Sequence, residues 1–136
     1  MKIQRGLASA MLVLVLVLIS GGLVLAHHSR AGIYEQDDKR IDMKGVVTEW
    51  KWRNPHVFLV WDTKDSSGKV VQWTGELSSV TSMMSEKLTR NSFKPGQEIT
   101  VSVVPARAGT PQGLLVKIVM PDGSVPLDRT RGPIPD

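Results

Sequence analysis

Residues 69–104, KVVQWTGELSSVTSMMSEKLTRNSFKPGQEITVSVV, change hydrophobic period twice. From Lys69 to Leu77 the chain alternates: Val71, Trp73 and Leu77 face one way, Gln72, Thr74 and Glu76 the other. That is the pattern of a strand. Val80, Met83, Met84 and Leu88 then fall at i, i+3, i+4 and i+8, one face of a helix. Ser78 or Ser79 suits its start, and Lys87 and Arg90 suit its last turn. Phe93-Lys94-Pro95-Gly96 is a turn. From Glu98 to Val104 the alternation returns, with Ile99, Val101 and Val103 inward and Thr100 and Ser102 outward.

Working outward, Met43 to Trp52 reads as a first strand, with Val46, Trp50 and Trp52 on one face and Val47, Glu49 and Lys51 on the other. Asn54-Pro55 forces a turn, because proline biases the residue before it away from helix. His56 to Thr63 is a second strand, apolar on both faces, which fits a strand covered on both sides or presenting a binding face. Asp65-Ser66-Ser67-Gly68 is a hairpin turn. Past a loose loop at 109–113, Leu114 to Met120 is the last strand. Three strands, a helix and two strands is the order of an OB-fold, a small five-stranded barrel. Closure also suits strands this hydrophobic, because it leaves no edge. A small sandwich, or an open sheet with the helix on one face, is the rival. The barrel is expected over 43–120. A polar arm, 27–42, precedes it and is pinned by Ile33 and Tyr34. Residues 121–136 hold four of the eight prolines and read as an extended, mobile tail.

The start of the chain bears on function. Lys2 and Arg5 precede an apolar run from Leu7 to Ile19, Ser20-Gly21-Gly22 breaks it, and Val24-Leu25-Ala26 supplies a peptidase site. This predicts a signal peptide over 1–26 and a mature protein in the periplasm or outside the cell. Uncleaved, Leu7 to Ala26 would be just long enough to anchor the chain in a membrane. Cleavage lowers the formal charge from +4 to +2, since Lys2 and Arg5 leave. No basic cluster suggests a nucleic-acid partner. The chain has no cysteine, which excludes thiolate catalysis and thiolate metal sites. About 110 residues form one domain with room for one core.

Cleavage after Ala26 would make His27 the first residue, with an amine and an imidazole on one residue. The three histidines fall in two places: His27 and His28 at that junction, and His56 in the Asn-Pro-His turn. If the arm folds back along the first hairpin, these nitrogens converge as a histidine brace, which suits copper. Glu49, Glu76 or Asp37 could supply a weak ligand or accept an imidazole N–H. The four tryptophans, Trp50, Trp52, Trp61 and Trp73, all fall on the first three strands. Trp73 and one of Trp50 and Trp52 read as core. The remainder, among Trp50, Trp52 and Trp61, are candidates for stacking against a sugar or other flat ligand. Glu49 and Glu76 could pair on an outer face, yet no catalytic set is read. There is no Ser-His-Asp signature, phosphate loop or dinucleotide fingerprint. Met83 and Met84 read as core at their helical spacing.

Ala26-His27-His28-Ser29, Glu49-Trp50 leading to Asn54-Pro55-His56, Trp73 with Glu76-Leu77, and Lys94-Pro95-Gly96 occur in one order. That order resembles a family of small exported bacterial proteins, domain of unknown function 6152, over 26–120. Lys51-Trp52-Arg53 between Trp50 and Asn54, and Arg30 where an aromatic is expected, depart from the pattern. The resemblance implies export and a small β-rich domain. The expectation is therefore an exported binding domain, not an enzyme, that takes copper through His27, His28 and His56. The alternative is a module docking a periplasmic protein or a glycan on a tryptophan face, without metal.

Overall fold

The computed structural model describes residues 32–131. Among the described residues six strands are present: β1 Ile41–Lys51, β2 Phe58–Lys64, β3 Val70–Glu76, β4 Glu98–Pro105, β5 Gln112–Val119 and the short β6 Leu127–Asp128. A single short helix, α1 (Val80–Ser85), lies between β3 and β4, and a 3₁₀ turn, Asp37–Lys39, precedes β1. The strand order is β3-β2-β1-β4-β5, and β5 pairs back onto β3 to close a five-stranded ring. All neighbours are antiparallel except β3–β5, which is parallel. This is the closed OB-like barrel. β6 adds to β5 outside the ring.

Turn chemistry sets the hairpin between β2 and β3. Gly68 takes φ of +83°, the left-handed region open to glycine, and its N–H donates to Asp65 O at 2.9 Å. The Asp65 side chain accepts from the backbone N–H groups of Ser67 and Lys69. The Ser67 hydroxyl, also bonded to it, is the main cause of a carboxyl held below its ordinary range. α1 starts where Ser79 Oγ accepts from Ser82 N, and Asn54 Oδ1 accepts from Val80 N at 3.0 Å. The Asn-Pro turn is thereby tied to the helix start. Met83 on α1, and Leu88 and Phe93 beyond it, are buried in the main core cluster. Met84 is exposed.

The barrel interior holds Val47, Leu59, Trp61, Leu77, Ile99, Val101, Val103, Leu115 and Ile118. A β-bulge between Val47 and Glu49 corrects the expected faces of β1. One extra residue reverses the alternation beyond it. Val46 is thus 41% exposed and Val47 only 1%, although Trp50 still packs on the core. A second cluster, Tyr34, Val104, Ala106, Leu114 and Val116, is separate from the interior. Tyr34 pairs with Ala106, and Glu35 N donates to Pro105 O at 2.9 Å, so the arm lies along the end of β4. Tyr34 is buried as expected of a pin, while Ile33 is exposed.

The expected mobile tail needs correction as far as Arg131. Leu127 joins the main core, β6 pairs Lys117 with Asp128 and Ile118 with Leu127, and Arg129 is buried. The Arg129 guanidinium bonds both oxygens of Glu86 and donates to Ser78 Oγ at 3.1 Å. Proline richness misled here because one leucine and one paired arginine suffice to fasten a short segment. Among the described residues no helix is long and apolar enough to cross a membrane. The predicted signal peptide, 1–26, lies outside the described residues, as do His27 and His28.

Candidate functional site

One row of residues crosses the outer side of the barrel. Lys51 on β1 pairs with Phe58 on β2, Phe58 with Glu76 on β3, Glu76 with Leu114 on β5, and Leu114 with Val104 on β4. Leu114 and Val104 belong to the cluster that holds Tyr34. The parallel β3–β5 closure therefore sets Glu76 beside the docked arm. His56 precedes Phe58 by two residues in the chain, and its ring lies 6.5 Å from the Phe58 ring.

Glu76 joins these elements. Its Oε1 lies 2.6 Å from His56 Nδ1, and its Oε2 accepts a hydrogen bond from the Tyr34 hydroxyl. The Glu76 side chain is 19% exposed and the His56 side chain 43%. Nδ1–H donating to a carboxylate leaves Nε2 as the nitrogen with a free lone pair. This is the carboxylate–histidine pairing that orients an imidazole toward a ligand. Tyr34 is held at its backbone too: Arg107 Nε donates to Tyr34 O at 2.8 Å, and Arg107 N to Ile33 O at 3.0 Å.

Of the three carboxylates considered for His56, only Glu76 meets it. Glu49 pairs with Val60 on β2, two residues along from the Phe58–Glu76 pair and two strands from Glu76, and its own partner is Lys51 at 3.1 Å. Two strand spacings and two residue rises put the pair about 12 Å apart in the sheet. Asp37 pairs with Arg40 at 3.3 Å. No group of three or more histidine and carboxylate residues among the described residues could hold a metal. The other two expected ligands, His27 and His28, lie outside the described residues.

The tryptophans divide. Trp61 is fully buried and stacks on Trp73 with ring centroids 6.3 Å apart, which removes it from the stacking candidates. Trp50 is half-buried, lies edge-on to Phe93 at 5.0 Å, and donates from Nε1 to Thr89 O at 2.9 Å. Those contacts make it structural. Trp52, half-buried at the barrel end 5.5 Å from Trp50, is the candidate left. Sequence reasoning assigned Tyr34 a packing role and missed its hydroxyl. The signal was present: it is the chain's one tyrosine, in an otherwise polar arm, seven residues after His27.

A closed five-stranded barrel with OB order, carrying an N-terminal arm tied to a carboxylate–histidine pair, defines the class of this protein. The chain belongs to the family of unknown function DUF6152, whose model matches residues 15–116. No curated protein and no solved structure matches it.

Proposed function

We propose that the protein is an exported domain that binds Cu(II) through the His27 amine, the His27 or His28 imidazole, and His56 Nε2. The observation that carries this reading is the shared carboxylate. Glu76 bonds the imidazole of the Asn-Pro-His turn with one oxygen and the arm's tyrosine with the other. Seven residue steps separate His27 from Tyr34. Extended chain covers about 3.3 Å per residue, so the reach is about 23 Å. That exceeds the path from Tyr34 through its ring and the carboxylate to His56. Three nitrogen donors suit Cu(II), which heads the divalent affinity order for such sites. His56 oriented by Glu76 is a ligand prepared before the metal arrives.

Mass spectrometry of the secreted chain should give His27 as its first residue. Calorimetric titration of that material with Cu(II) should show one equivalent bound. His56→Ala should weaken binding by at least about 10-fold, the scale of losing a ligand or its orienting partner. Binding unchanged in His56→Ala overturns the reading. A second reading, docking of a partner protein or glycan, is favoured by the half-buried Trp52 at the barrel end. It would survive an added N-terminal residue and fail on Trp52→Ala. Trp61→Ala cannot test it, because that ring is core.

A further inference from the structure

We propose that Tyr34 is a positioning residue for His56, acting through Glu76. The inference deepens the copper reading and rests on it only for its effect on metal affinity. A glutamate carboxylate turns easily about its last torsion, which is broad and roughly two-fold. A half-exposed imidazole bonded to such a group competes with water for it. Here the second oxygen is occupied, because Glu76 Oε2 accepts from the Tyr34 hydroxyl. The tyrosine itself is fixed at both ends. Its ring is buried with Val104, Ala106 and Leu114, and its carbonyl accepts from Arg107 Nε at 2.8 Å. A carboxylate held on one side by a fixed hydroxyl offers its other oxygen in one direction. His56 Nδ1, 2.6 Å away, is held to that direction, and Nε2 is turned out. The same hydroxyl fastens the segment that leads back to His27, so orienting the turn and tethering the arm are one contact.

The substitution that isolates the contact is Tyr34→Phe, which keeps the buried ring and deletes the hydroxyl. Nitrogen-15 NMR of metal-free protein in mildly alkaline buffer reads the His56 tautomer. Wild type should show the Nδ1–H form alone, and Tyr34→Phe a mixture approaching that of Glu76→Ala, in which the acceptor is gone. Titration with Cu(II) alone should give about 10-fold weaker binding in Tyr34→Phe. An unchanged tautomer in Tyr34→Phe overturns the positioning role, whatever copper does. Mixed tautomers in Tyr34→Phe with no copper bound by wild type would leave that role standing and remove the copper reading. Should Tyr34→Phe fail to fold, Arg107→Ala, which frees the Tyr34 carbonyl, replaces it under the same criteria.

Discussion

Trp61 occupies space that only glycine leaves open. A Cβ at Gly45 would stand 2.4 Å from Trp61 Cδ1 and 2.6 Å from the Asp62 carbonyl oxygen. One at Gly75 would stand 2.9 Å from Trp61 Cζ3. The Asp62 carbonyl is backbone and cannot turn aside, so Gly45→Ala should cost about 1–3 kcal/mol by overpacking. Thermal unfolding checks this, with an unchanged midpoint as the contrary result. Trp61→Ala should cost about 3–5 kcal/mol in denaturant unfolding. Trp61→Phe should cost less than its lost area suggests. The Trp61 indole N–H is buried without an acceptor among the described residues, and phenylalanine removes that unmet donor. The sequence pointed to Trp73 and one of Trp50 and Trp52 as core and left Trp61, the one that is fully buried, among the stacking candidates. The two glycines that make room lie 16 residues before and 14 after Trp61, and alternation carries no trace of that pairing.

At the scale of elements, the strands were legible because β1, β3 and β4 alternate, while β2 and β5 are short apolar runs bounded by turn residues. β1 was misread at its bulge, since one inserted residue leaves composition untouched. The segment after β5 was misread for another reason. Its anchor is a contact between Arg129 and Glu86, 43 residues apart, and no local pattern encodes it. Arg129 is buried and Glu86 half-buried, so Glu86→Ala would strand a charge in the interior. Removing one partner of a fully buried pair costs about 3–5 kcal/mol. The half-exposed carboxylate puts this loss nearer about 2 kcal/mol, read by urea unfolding. Asp128, at the end of β6, should make the docking acid-sensitive. The Thr130 hydroxyl, with the Thr130 N–H and the Lys117 ammonium, lowers its carboxyl from 3.8 to about 2. A carboxyl lowered in the folded state stabilises it above its unfolded value. That contribution is lost as pH falls from about 4 through about 2. Hydrogen exchange at Leu127 and Arg129 should accelerate over that window, and Asp128→Asn should weaken the dependence.

For the whole molecule, the parallel pairing of β3 with β5 determines the site. It sets Glu76 beside Leu114 and so beside the arm that packs on Leu114. The OB order of strands contains this closure, and the fold was legible from the order alone. The carboxylate opposite His56 was legible as one of three possibilities. Choosing among them required the register that puts Phe58 opposite Glu76 and Val60 opposite Glu49. Tyr34 stood out as the chain's one tyrosine, but the partner of its hydroxyl was not legible, because that contact spans 42 residues. In the proposed site, arm and turn bring a terminal amine and two imidazoles to one Cu(II). Electron paramagnetic resonance compares protein beginning at His27 with the same protein bearing one alanine before it. One nitrogen-coordinated Cu(II) per chain is expected in the first, and its loss in the second. An identical signal from the extended chain would rule out the terminal amine as a ligand.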